Sequence, residues 1–235
     1  MMLKRFLVEV LHFSRTNWWV YIIYGALLAI VFITNRDRLI SVTAISFLHF
    51  VADIFIMMML SAYSRGSYPQ GSIFQAISMS LFLCLKLYTG FVGGGWHYLA
   101  ADPIYFLAAF KNYKIDVRKQ HVDYINRNSM TVLSIIILLC LIYSREYWGA
   151  SIFLTPAQWI QTFGIFAFAI GLATTNERQR YVISVLALSS MVCGSAWETY
   201  DAIINNRLTG LALSYALLPL TVLVFYVRHW EAFKR

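Results

Sequence analysis

The chain has 235 residues, 60% of them hydrophobic and 13% charged, and a formal charge of +8. That composition leaves too little polar surface to cover a soluble globule of this size, and implies a polytopic, all-α membrane protein. The positive charge requires no nucleic acid, because Lys and Arg collect in cytoplasmic loops and against anionic headgroups.

Residues 1–16 alternate Lys4, Arg5, Glu9 and His12 with Phe6, Leu7, Val10, Leu11 and Phe13 at helical spacing. The segment has no small-residue cleavage site and is too charged for a signal-peptide core, so it reads as an interfacial amphipathic helix. Seven apolar stretches follow, at 17–34, 39–62, 71–92, 128–143, 157–175, 181–203 and 209–227, each near the roughly 20 residues that cross hydrocarbon. They group as a three-helix unit over 17–92, a linker over 93–127, a linking helix over 128–147 and a second three-helix unit over 157–228. The linker opens with Gly93-Gly94-Gly95 and carries Asp102-Pro103. Because a charge and a missing backbone donor are unfavourable in mid-membrane, it reads as interfacial or re-entrant. The alternative makes 96–110 an eighth crossing, which moves the N-terminus inside and sharpens the Lys and Arg bias. With seven spans the bias predicts an external N-terminus and a cytosolic C-terminus, in a plasma membrane of bacterial inner-membrane type. Lys86 falls near the inner end of the third span, where it can snorkel. Cys84, Cys140 and Cys193 lie in apolar stretches as small hydrophobes, and neither a metal nor a cofactor is expected.

The first and fifth spans end in related strings, Thr34-Asn35-Arg36-Asp37-Arg38 and Thr175-Asn176-Glu177-Arg178-Gln179-Arg180. Each precedes a Ser-containing apolar helix with intramembrane acid, Asp53 in one and Glu198 with Asp201 in the other. Duplicated three-helix units are a common transporter plan with the site between them. Three helices, a linking helix and three more in the same orientation resemble the PnuC vitamin transporters and the related SWEET sugar transporters. The closest local likeness is the final hairpin, Asn205-Asn206-Arg207-Leu208-Thr209-Gly210 running to Phe225-Tyr226-Val227-Arg228-His229-Trp230. The resemblance implies a facilitative transporter of a vitamin-like or nucleoside-like metabolite.

Acids inside an apolar helix are costly and point to a wet cavity, a partner or a cationic ligand. Trp197 and Asp201, four apart, share a helix face, with Glu198 at its edge and Tyr200 nearby. His49 and Asp53 are likewise four apart, so the carboxylate can orient the imidazole or share its proton, or the two can simply hold helices together. Aromatic faces beside carboxylates suit a cationic, ring-bearing metabolite, with Phe50 and Tyr215 as further walls. Gln75 and Asn205 are uncharged candidates for orienting a ribose or amide, and Gln75 reads equally as a helix-packing contact. The expected substrate-binding set is therefore Trp197, Asp201, Glu198, Asp53, His49, Gln75, Asn205 and Tyr200, with a small-molecule substrate, the lipid bilayer and a possible homo-oligomer as partners. A cation channel with an acidic pore is the second reading. A membrane-embedded enzyme using His97 or His49 is the third. His97 and Asp102 have the spacing of an acid-oriented base, yet no other catalytic block accompanies them, and no enzyme activity is expected.

Overall fold

In apolar surroundings a backbone must satisfy its own hydrogen bonds, and uninterrupted apolar runs do so as helices. The computed structural model describes residues 2–34, 39–93, 102–114, 155–173, 177–205 and 210–228. They form α1 (Met2–Thr16), α2 (Trp18–Thr34), α3 (Leu39–Ser64), α4 (Tyr68–Gly93), α5 (Asp102–Lys114), α6 (Pro156–Ala173), α7 (Glu177–Ile204) and α8 (Gly210–Arg228), with no strand among the described residues. Among the described residues, three helices contain stretches long and apolar enough to cross a membrane: Ala44–Ser64, Tyr68–Leu87 and Arg178–Asp201. Trp159–Leu172 and Pro219–Arg228 are shorter apolar stretches, and α1 with α2 forms a pair bent by 76° that would count as a fourth span if taken together. The predicted linking helix at 128–147 lies outside the described residues.

The bend falls at Asn17, the one non-helical residue between α1 and α2. Its carbonyl accepts from Val20 N at 3.0 Å as α2 starts, a position where Asn is favoured as an N-cap. α3 closes on Gly66, whose φ of +73° lets Ser67 N reach Ala62 O at 2.9 Å and Gly66 N reach Tyr63 O at 3.0 Å. This two-bond cap satisfies the last carbonyls of α3 and turns the chain into α4 within three residues.

Helix directions follow from side-chain contacts. Ser78 Oγ on α4 donates to Ala52 O on α3 at 2.8 Å, and Gly71 lies beneath the Tyr63 ring, so α3 and α4 are antiparallel. Lys86 pairs with Asp102, Gln75 Nε2 donates to Tyr105 O at 3.0 Å, and Asn112 Nδ2 donates to Tyr63 Oη at 3.3 Å. Position rises along α5 as it falls along α4, so α5 runs back beside α4 towards the α1 end of the bundle.

That placement packs the described part of the linker along α4, beyond what a purely interfacial helix would do. Asp102 and Pro103 stand in the first turn of α5 and not in its middle. There a proline sacrifices no hydrogen bond and an acid is favoured by the helix dipole. Lys86 meets Asp102 instead of snorkelling to headgroups.

α6 and α7 form a hairpin of small residues. A Cβ on Gly164 would fall 2.7 Å from Ala187 O, one on Gly171 2.6 Å from Ser184 Oγ, and one on Gly194 2.8 Å from Ala157 O. Backbones this close gain dispersion contacts that larger side chains would prevent, the usual basis of helix association in lipid. Tyr181 stacks on Tyr226 at 5.8 Å and Phe225 meets Phe13 at 5.9 Å, so α7 starts and α8 finishes at the α1 end. Arg180 also acts electrostatically on both Tyr63 and Tyr226 there.

Taken together, α2, α3 and α4 run out, back and out from the α1 end, while α6, α7 and α8 run back, out and back. The described helices of 17–92 and of 157–228 thus run in opposite directions, which differs from the same-direction order expected of a repeat. Neighbours pair in the order α3, α4, α5, α6, α7, α8 and then α3 again, so six helices close a ring, with α2 seated against α3 and α8.

Candidate functional site

Asp53 stands nine residues into the Ala44–Ser64 span and eleven from its end, close to mid-membrane, and is 6% exposed. Its Oδ2 is buried without a hydrogen-bond partner among the described residues. Across the interface α2 supplies Tyr24, 3% exposed, whose hydroxyl is also buried without a partner among the described residues and lies within electrostatic reach of Asp53. The Tyr24 ring packs against Phe50 with centroids 5.3 Å apart. One turn away on α3, half-buried His49 meets Phe82 edge-on at 5.4 Å. A buried acceptor and a buried donor left without partners are costly, and either could be satisfied by a group that carries the complementary function. Tyr24 was not among the residues singled out from sequence, because α2 is apolar nearly throughout and one tyrosine gives no signal of the face it occupies.

The second acidic group lies elsewhere. Asp201 closes the Arg178–Asp201 span and is three residues from the end of α7, so it sits within one turn of the helix terminus at the far end of the bundle. Trp197 is 47% exposed, Tyr200 61%, and Asp201 is exposed as well. The expected arrangement is therefore reversed. Trp197 and Asp201 face outward, whereas Glu198 faces the protein and accepts from Gln161 Nε2 on α6 at 2.8 Å. Gln161 Nε2 also reaches Ser195 Oγ at 3.2 Å, which fixes the polar end of the small-residue hairpin.

Two uncharged candidates turn out to be structural. Gln75 is fully buried, accepting from Tyr63 Oη at 2.6 Å and donating to Tyr105 O at 3.0 Å. Its amide is engaged on both sides, and the hydrogen bond from Tyr105 Oη to Ile165 O at 3.0 Å carries the network from α4 through α5 to α6. Asn205 donates from Nδ2 to Asp201 O at 2.7 Å and from its backbone N to the same carbonyl at 3.1 Å, so it caps α7. Asp102 is committed to Lys86, and His97 lies outside the described residues, as does the side chain of Tyr215. Among the described residues no group of three or more His, Cys, Asp or Glu is placed to hold a metal ion.

An all-α membrane protein with one acid buried in mid-span and another acidic group at a bundle end is the class that fold and site define. Comparison with protein-family models, curated proteins and solved structures finds no match for the chain.

Proposed function

We propose that the protein is a facilitative membrane carrier for a small polar metabolite, vitamin-like or nucleoside-like in size, with Asp53 as its central binding group. The observation that carries this reading is buried Asp53 in mid-span, with Oδ2 unpartnered among the described residues, and the likewise unpartnered Tyr24 hydroxyl within its electrostatic reach. An ionisable group in that position is expensive to keep, and such groups mark substrate or ion pathways. The ring of contacts among the described helices supports the reading, as do the opposite directions of the two units, an order compatible with the inverted units from which many carriers are built. Exposed Asp201 with Trp197 and Tyr200 would form a capture surface for a cationic, ring-bearing substrate at one end of the path.

Counterflow in proteoliposomes, screened over cationic vitamins and nucleosides, tests the proposal. Saturable exchange that is abolished by Asp53→Asn, weakened by Tyr24→Phe and unaccompanied by loss of folded protein is the expected result. Sustained ion current without saturable exchange would instead support the second reading, a cation channel, which the closed ring also suits.

A further inference from the structure

We propose that the end of the bundle carrying α1 faces the cytosol and that α1 lies on the inner leaflet, where Lys4, Arg5 and Arg15 bind acidic phospholipid headgroups. The 76° bend at Asn17 takes α1 off the axis of α2 and lays it across the bundle end. Its pose there is fixed: Phe13 is fully buried, Phe6 packs on Phe74 with centroids 4.9 Å apart, and Glu9 pairs with Arg65 and accepts from Ser67 Oγ at 2.8 Å. The rest of the helix is left facing outward. Leu3, Leu7, Val8 and Leu11 are 70%, 50%, 55% and 57% exposed, an aliphatic strip that water would penalise. Lys4, Arg5 and Arg15 are exposed beside it, and Glu9, the single acid of α1, is already neutralised by Arg65. An aliphatic strip flanked by uncompensated cations is complementary to an anionic membrane surface, and to neither a neutral one nor water.

Sidedness follows from the other cations at that end, independently of those on α1. The pairing of Arg65 with Glu9, the action of Arg180 on Tyr63 and Tyr226, and the contact of Phe225 with Phe13 just before Arg228 place these three arginines at the α1 end. Among the described residues the far end has only Lys86, already paired with Asp102, together with the acids Glu198 and Asp201. Positive residues stay on the cytosolic side during insertion, so the α1 end is the inner one, opposite to the orientation that a seven-span count predicts.

The test uses the full chain in lipid nanodiscs of phosphatidylcholine with and without phosphatidylglycerol. Each basic side chain near an anionic surface strengthens association about fivefold, and a ligand that binds only the folded state raises its melting temperature. Phosphatidylglycerol should raise the melting temperature of the wild type, and Lys4→Gln with Arg5→Gln and Arg15→Gln should remove most of that rise without changing the value in phosphatidylcholine alone. Glu9→Gln, which breaks the clamp and spares the cations, should lower stability in both lipids and keep the rise. If the triple variant does not fold, the single changes Arg5→Gln and Arg15→Gln should each remove part of it. An undiminished rise in the charge variants, an equal rise from inorganic phosphate in phosphatidylcholine discs, or labelling of Thr16→Cys from outside intact cells would overturn the proposal.

Discussion

At the scale of single residues, what separates Asp53 from Glu198 and Asp201 is the company each keeps. Asp53 is enclosed and short of a partner, Glu198 is enclosed and satisfied by Gln161, and Asp201 is exposed at a helix end. A double-mutant cycle between Gln161→Ala and Glu198→Gln should therefore give a coupling of about 0.5–3 kcal/mol in thermal or denaturant unfolding, as contacting residues do. Additive effects would mean that the 2.8 Å contact contributes nothing. Trp197→Ala and Asp201→Asn should leave stability within about 0.5 kcal/mol, as exposed positions do. In transport they should raise KM and leave the maximal counterflow rate near wild type, whereas Asp53→Asn should abolish exchange. The presence of both acidic groups was legible in the sequence. Which one is enclosed was not, because exposure of a helical face depends on neighbours far away in the chain.

Among the elements, the α6–α7 hairpin is the one in which small changes should be felt most. Replacing glycine by alanine inside a helix gains about 1 kcal/mol from propensity, while overpacking a tight interface costs about 1–3 kcal/mol. At Gly164 the new methyl would meet Ala187 O at 2.7 Å, a backbone atom that cannot swing aside, so the packing term wins. Gly164→Ala should lower stability by up to about 2 kcal/mol, the overpacking cost less the propensity gain. Gly25→Ala on α2, where a Cβ meets nothing within 4 Å, should instead raise it by up to about 1 kcal/mol. Melting temperatures of the two variants in one detergent decide the matter, and a stabilised Gly164→Ala would show the hairpin to be looser than its backbone spacing indicates. The pattern was present in the sequence, where Ala157, Gly164 and Gly171 recur every seven residues, yet hydropathy treats glycine and alanine as weakly apolar filler.

For the molecule as a whole, the direction of α5 decides the topology. Lys114 is at the α1 end and Thr155 at the far end, next to the Ala157–Gly194 contact. Single cysteines at Thr16 and Asp116 should accordingly label from one side of the membrane, and a cysteine at Asn205 from the other. If Asp116→Cys labels with Asn205→Cys, α5 does not return along α4 and the seven-span arrangement is restored. An eighth crossing at 96–110 meets two objections, its shortness and the charge and proline of Asp102-Pro103. The place of both residues in the first turn of α5, with Lys86 opposite, answers the second, while α5 itself has only 13 residues.

The sequence by itself determined the membrane class, the helical content, the amphipathic first helix, the spans around Asp53 and Gln75, and the presence of acids within apolar stretches. These depend on composition and on hydrophobicity summed along the chain, which are local quantities. Only the tertiary structure decided the direction of α5, the opposite directions of the two units, the enclosure of Tyr24 and Asp53, and the outward face of Trp197 and Asp201. Each of those rests on contacts between residues distant in sequence, and hydropathy, identical for a helix running up or down and for either of its faces, carries no information about them.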